Sequence, residues 1–288
     1  MSMPAFPRDA ARHVVEIGLD EDLGSRGDIT TRALAEGRSA VGRVMAREAA
    51  VVAGLPLGPI VLDELERRGY GRAACRALVR EGEEARPGRA LLEVEGAATA
   101  ILAGERLLLN LLARLCGIAT LTRRAVAEIE GTGAEIADTR KTTPGLRALE
   151  KYAVAVGGGR NHRFALDELV LIKDNHKVLC GGAAAAVRAA VRAGHEPSEI
   201  ELEADDLAEL EEGLAAGCGW ILLDNMDPGT VREAVRRTAG RARLEVSGGL
   251  RPGRLRAFAE AGVDRLSLGC LTHGAPAVDL SLDLIAAP

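Results

Sequence analysis

From about Ala134 onward, short apolar runs alternate with longer Ala- and Leu-rich stretches of helical period. That order predicts consecutive βα units around a parallel sheet. Six runs read as strands: AEIAD (134–138), LVLIK (169–173), IELEA (200–204), WILLD (220–224), RLEVS (243–247) and RLSLG (265–269). Between them GLRALEKYAVAV, AAAAVRAAVRAG, LAELEEGLAAG, PGTVREAVRRTAG and RPGRLRAFAEAG read as helices. Most end on a glycine, which can close a helix in the left-handed conformation.

Upstream the pattern changes. GRVMAREAAVVAGLPL and GRALLEVEG predict antiparallel strands, and ILAGERLLLNLLARLCGIATLTRRAVAEIEG predicts one long helix. The expectation is an α/β fold: an incomplete, open α/β barrel of about six parallel strands over residues 116–274. An N-terminal α+β, sandwich-like lobe over residues 1–115 precedes it, joined by the C-terminal segment 275–288. On the long helix Arg106, Asn110 and Arg114 fall at i, i+4 and i+8, a polar stripe that either meets solvent or serves a site.

With 288 residues, 47% of them apolar, the chain has enough material for a substantial core. Its formal net charge of -5 and 2% aromatic content leave neither a broad basic face nor stacking platforms for nucleic acid. The start, MSMPAFPRDAARHVVEIGLDEDLG, has no basic segment followed by an apolar run, and no stretch is apolar enough to span a bilayer. The expectation is a cytoplasmic protein with no membrane partner. Five scattered cysteines without a C-x-x-C pair speak against zinc and against a disulfide framework.

Active sites of parallel barrels lie at the C-terminal strand ends, so the residue that ends each strand matters most. The first predicted strand gives way to Thr139, Arg140 and Lys141, and the second ends at Lys173, Asp174 and Asn175. The third carries Glu203, the fourth ends at Asp224 and Asn225, and the last two end in Ser247-Gly248-Gly249 and Gly269. Cations, acids and glycine turns are thus segregated in order. Backbone N–H groups approach a phosphate closely where no Cβ intervenes. GGGRNHR lacks the Walker A pattern and reads as a flexible loop presenting His162 and Arg163. Asp138, Glu150 and Asp174 could pair with some of these cations, but carboxylates are outnumbered where arginine geometry suits bidentate anion recognition. A polyanionic small molecule is the expected ligand. Lys173 also admits a barrel aldolase, with the lysine forming a Schiff base.

The ordered series EDLGSRGDITT, REAAVVAGLPL, GERLLLNLLARLCGIATLT, DTRKTTPGLRALEKYAV, GGGRNHRFALDELVLIKDNH, LLDNM, EVSGGL and GVDRLSLGCLTH resembles carboxylating nicotinate-nucleotide pyrophosphorylases, the quinolinate phosphoribosyltransferases of type II. The resemblance covers nearly the whole length. The related ModD-type proteins share the fold and much of the motif set, but DTRKTTPG and NHR lean toward the quinolinate enzymes.

The resemblance implies decarboxylating transfer from phosphoribosyl pyrophosphate to quinolinate, within NAD biosynthesis, by a homodimer or larger assembly with shared sites. It implies that Arg106 reaches a neighbouring subunit's substrate, while Arg140, His162, Arg163 and Lys173 line the quinolinate pocket and Thr139 is a further substrate-binding residue. Lys141 would serve the pyrophosphate. Glu203 and Asp224 would face the ribose and Mg2+, held largely through phosphoribosyl pyrophosphate. Ser247, Gly248, Gly249 and Gly269 would take the 5-phosphate, and no organic cofactor is implied.

Overall fold

The structure, a computed structural model, describes residues 3–286. Positions 1, 2, 287 and 288, to which the expectations about the first and last segments extend, lie outside the described residues. In chain order come α1 (Arg8–Leu23), α2 (Ile29–Ala35), β1 (Ser39–Ala46), β2 (Ala50–Val51), α3 (Leu57–Arg67), β3 (Ala73–Ala77), β4 (Glu84–Ala85), β5 (Ala90–Ala97) and α4 (Ala98–Glu128). Next are β6 (Glu135–Ala137), α5 (Arg147–Val156), β7 (Val170–Ile172), α6 (Asp174–Cys180), α7 (Ala183–Arg192), β8 (Ile200–Ala204) and α8 (Leu207–Ala215). The last are β9 (Trp220–Asp224), α9 (Pro228–Thr238), β10 (Arg243–Ser247), α10 (Arg256–Ala259), β11 (Arg265–Ser267), α11 (Cys270–His273) and β12 (Leu280–Ala286).

These elements form two compact units. The first takes the chain up to Arg123, then Thr142–Gly158, then from Gly274 on. Its antiparallel sheet has the order β12-β1-β5-β3. β1 alternates in burial because one face meets a core of Ala35, Ala40, Leu62, Val94, Ala98 and Ile101. On the other face Arg43 meets its register partner Glu93 at 2.9 Å.

Helix α5 packs within this unit. Fully buried Glu150 accepts from Arg114 at 2.8 Å and from the Thr143 N–H at 3.0 Å, while the Tyr152 hydroxyl donates to Glu81 at 2.8 Å. Glu150 is therefore spent on Arg114 and not on the cations of the strand tips, because a carboxylate without solvent needs a cation in direct reach. Of the polar stripe, Arg114 is half-buried by this pairing, whereas Arg106 and Asn110 face solvent.

The second unit comprises Arg124–Lys141 and Gly159–His273. Its six strands run in the order β6-β11-β10-β9-β8-β7, all parallel. The first two strands of the unit thus stand at opposite edges, and the barrel stays open between them. Helices cover the outer face, where a Cβ on Gly213 of α8 would come within 2.6 Å of Leu202. Only a glycine lets the helix approach the strand so closely.

Helix starts follow the side chains available. Asp206 accepts from the N–H groups of Ala208 and Glu209, and Asp227 from those of Gly229 and Thr230 ahead of Pro228. RPGRLRAFAEAG contracts to α10, because Gly253 is left-handed and the Glu128 carboxylate holds the Gly253 and Leu255 N–H groups. The segment DNHKVLC forms α6, for which the hydrophobic pattern gives no sign.

Candidate active site

A cavity of about 520 Å³ opens at the C-terminal ends of the parallel strands. It gathers Thr139, Arg140 and Lys141 beyond β6, His162 and Arg163 ahead of β7, and Lys173 after it. Glu203 of β8, Asp224 at the end of β9, and Ser247, Gly248 and Gly249 at the end of β10 complete the ring. Gly269 joins it through Lys141, since a Cβ there would lie 2.9 Å from Lys141 Cδ. Arg106 belongs to the first unit, its side chain largely exposed and 3.8 Å from the Glu105 carboxylate.

The segment carrying His162 is not the flexible loop its glycines suggest. Arg160 donates to Ile136 O at 2.7 Å and accepts from Asp138 N–H at 3.1 Å, so the chain splices onto the free edge of β6. The His162 N–H then donates to the buried Asp138 carboxylate at 2.8 Å. Its Nε2 lies 3.2 Å from Glu201 and 3.4 Å from Glu245, and its Nδ1 accepts from the Arg163 N–H at 2.8 Å.

Burial opposes a charge on this imidazole, but the Glu201 and Glu245 carboxylates outweigh it and raise the pKa to about 9. The Arg163 N–H, by contrast, requires a lone pair on Nδ1. A proton on Nε2 is common to both forms, and it is the one that faces the acids. Burial and the nearby Glu245 charge raise the Glu201 pKa.

Arg163 is oriented from two sides, its N–H by His162 and its Nη1 by Leu169 O at 2.8 Å. Burial and then the neighbouring Arg140 charge lower its pKa, against the nearby Glu201 charge, which raises it. Lys173 Nζ meets Glu203 at 3.1 Å and is half-exposed. An ion-paired amine of this kind is not the desolvated lysine that Schiff-base chemistry uses. Lys177, one turn into α6, ties the Glu203 carbonyl at 3.1 Å to Asp174, Asp205 and Glu209. Asp174 thus serves chiefly this anchor, with Lys173 near enough to add a weaker electrostatic interaction.

Comparison with known proteins agrees with this geometry. The family description "Quinolinate phosphoribosyl transferase, C-terminal domain" matches residues 118–283, and its N-terminal counterpart matches 28–116. The chain belongs to the quinolinate phosphoribosyltransferase family. The nicotinate-nucleotide pyrophosphorylase [carboxylating] of Mycobacterium leprae is 44% identical over 282 residues, covering 96% of this chain and 98% of that protein. Its human counterpart by name is 38% identical over 248 residues, covering 84% and 81%. The crystal structure of the Ehrlichia chaffeensis nicotinate-nucleotide pyrophosphorylase superposes with a TM-score of 0.89 at 36% identity, covering 95% of this chain and 98% of that one. NadC from Streptococcus pyogenes gives 0.90 at 34% identity, covering both chains fully.

Within this family member, two acid groups could attract a metal. His162, Glu201 and Glu245 lie within 4.8 Å of one another, but Arg265 Nη1 stands 3.2 Å from Glu245 and already offsets the buried charge. Glu203 and Asp224 border the open cavity and offer hard oxygen donors, the kind that suits Mg2+ together with substrate phosphates.

Sequence reasoning passed over Glu201 and Glu245. The signal was present: a parallel strand is covered on both faces, so an acid in mid-strand must find a buried partner. Neither Gly248 nor Gly249 donates its N–H to a protein acceptor among the described residues. Both are left-handed, with φ of 95° and 61°. A Cβ on Gly248 would also lie 2.3 Å from Asn225 Oδ1 and 2.7 Å from the Asn225 nitrogen. Gly248→Ala is therefore expected to destabilise the fold by about 1–3 kcal/mol, measured by urea unfolding.

Proposed function

We propose that this cavity joins quinolinate to phosphoribosyl pyrophosphate, releasing nicotinate mononucleotide, CO2 and pyrophosphate, in NAD biosynthesis. The observation that carries the reading is the order of charges around the mouth. Arginines and lysines stand at two strand tips, carboxylates at the next two, and a turn with open N–H groups follows. That order matches a pyridine dicarboxylate, a ribose that becomes cationic and a 5-phosphate.

Arg140, Arg163 and Lys173, with Thr139, hold the two quinolinate carboxylates and aim the ring nitrogen at C1 of the ribose. Cleavage of the C1–oxygen bond sends its electron pair to the departing pyrophosphate and leaves an oxocarbenium-like ring. Glu203 and Asp224 stabilise that positive charge, and Lys141 stabilises the leaving group. Bound Mg2+ supplies charge neutralisation to the pyrophosphate, and Glu203 and Asp224 would help hold it. The ring nitrogen then donates its lone pair to C1, which makes a pyridinium. That positive charge stabilises the electron pair left on C2 when the C2–carboxylate bond breaks and CO2 departs, and the resulting C2 carbanion takes up a proton from water. Ser247, Gly248, Gly249 and Gly269 hold the 5-phosphate throughout.

His162 lines this pocket with both ring nitrogens already engaged, which suits it to placing Arg163. Arg106 is an exposed cation on a solvent-facing stripe, and in a homodimer or larger assembly it serves the site of a neighbouring subunit. Among the described residues no helix is long and apolar enough to cross a membrane, and we place the reaction in the cytoplasm.

The direct assay supplies quinolinate, phosphoribosyl pyrophosphate and Mg2+ and measures nicotinate mononucleotide and CO2 together. Both products are expected in equal amounts, and chelation of Mg2+ is expected to stop their formation. Folded protein that makes neither would refute the reading. Inactive Arg106→Ala and Lys141→Ala chains are expected to regain activity when unfolded and refolded together. With sites shared between two subunits, about one quarter of the wild-type activity is expected, because half the chains form hybrids with one intact site.

A further inference from the structure

Asn225 follows the last residue of β9 and borders the cavity. Its φ is 54°, in the left-handed region, where asparagine is among the better tolerated side chains. That conformation turns the amide back along the chain. Asn225 Nδ2 donates to Asp224 Oδ2 at 2.6 Å, while its backbone N–H donates to Ser247 O at 3.0 Å. On its other side the amide oxygen lies against Gly248, in the space a Cβ would need. One residue thus touches the acid at the end of β9 and the first two members of the glycine turn after β10.

The identity of the donor matters. Glu203 shares its charge with the Lys173 ammonium at 3.1 Å. The hydrogen bond from Asn225 to Asp224 comes from a neutral amide, which fixes the plane of a carboxylate without cancelling its charge. With Oδ2 engaged, Oδ1 is the oxygen left to face a cationic ring. Preorganised charge of this kind is worth most when it needs no reorientation as the transition state forms.

We propose that Asn225 is a positioning residue: it holds the Asp224 carboxylate toward the ribosyl cation and sets its spacing from the Ser247–Gly248 turn. This rests on the reaction proposed above. Asn225 acts through Asp224 and makes no bond to the substrate.

The test is a double-mutant cycle on the full-length enzyme with quinolinate and phosphoribosyl pyrophosphate. Asn225→Gly keeps a residue at ease with positive φ and removes only the amide. It is expected to lower kcat by about 10- to 100-fold, the range for one hydrogen bond to a charged group, with the KM for quinolinate changed less than about threefold. In an Asp224→Asn background the same change is expected to cost less than about twofold, because the group it orients has lost its charge. Asn225→Asp sets a like charge beside Asp224 and is expected to lose more than Asn225→Gly.

Normal kcat in Asn225→Gly, or a loss that multiplies fully with Asp224→Asn, would overturn the positioning role. So would a parallel fall in kcat, both affinities and melting temperature, which is the mark of a structural defect. Absence of wild-type turnover, or an unimpaired Asp224→Asn, would remove the reaction itself and the positioning role with it. A silent Asn225→Gly in an active enzyme removes the positioning role alone.

Discussion

Arg163→Ala is expected to raise the KM for quinolinate by about 100-fold and to leave the KM for phosphoribosyl pyrophosphate within about threefold. The asymmetry follows from where the charge sits. Arg163 is held by His162 and Leu169, close enough to Arg140 for that charge to lower its pKa. Two cations brought together in a half-buried wall bind a dicarboxylate better than either does alone, because the anion relieves their mutual repulsion. The variant should accordingly lose most of the rise in melting temperature that quinolinate gives the wild type. Steady-state kinetics with each substrate varied in turn decides the matter. Equal rises in both KM values would show that Arg163 shapes the cavity as a whole.

Glu245→Ala is expected to destabilise the second unit by about 3–5 kcal/mol in urea unfolding, a large part of the roughly 5–15 kcal/mol that holds a domain together. Glu245 is almost fully buried, 3.4 Å from His162 and 3.2 Å from Arg265. Without it His162 can shed a proton, but Arg265 cannot, and its guanidinium loses its direct ion-pair partner, keeping the Trp220 ring at 4.2 Å and the more distant Glu201 charge to offset burial. Glu245→Gln retains a hydrogen-bond acceptor and should cost less. If alanine and glutamine cost the same small amount, the buried charges do not depend on one another.

The three central strands, 200–204, 220–224 and 243–247, are read from the sequence residue for residue. WILLD is a nearly continuous apolar run and IELEA and RLEVS alternate, and each lies between a turn before it and a turn or helix start after it, which fixes its ends. The flanking runs shorten to Glu135–Ala137 and Val170–Ile172, which stand at the sheet edges, and to Arg265–Ser267, which pairs with the short edge strand Glu135–Ala137 over three residues. Helix α6 is not legible because Val178 and Leu179 are strongly exposed. Its anchor is Lys177, whose partners Asp205 and Glu209 lie far along the chain. Likewise the pairing of Glu150 with Arg114 spans 36 residues and leaves no local trace.

The strand tips are legible because chemistry concentrates at one end of a parallel sheet. The interior acids are not, because IELEA and RLEVS alternate as though one face met water. The face that carries Glu203 and Glu245 instead borders the cavity, while Leu202 lies under α8. The alternation by itself does not separate a buried acid from an outward one; the covering of both faces of a parallel strand does, and the structure supplies the pairing of Glu201 and Glu245 with His162.

The strand order of the first unit has a consequence for how the chain is made. Its outermost strand β12 pairs with β1 along the register Ala46↔Leu280 to Ala40↔Ala286, and Arg47 reaches Ser281 across 234 residues. The sheet therefore waits for the whole of the second unit to be synthesised before its edge is covered. Until then β1 presents an open ladder, the form of edge most prone to pairing with another chain. Closing so long a loop costs only slightly more entropy than closing a short one, but it delays the contacts that reward it. The second unit's local βα repeats carry no such delay, so the sequence of synthesis favours a formed barrel beside a half-covered lobe as the vulnerable intermediate.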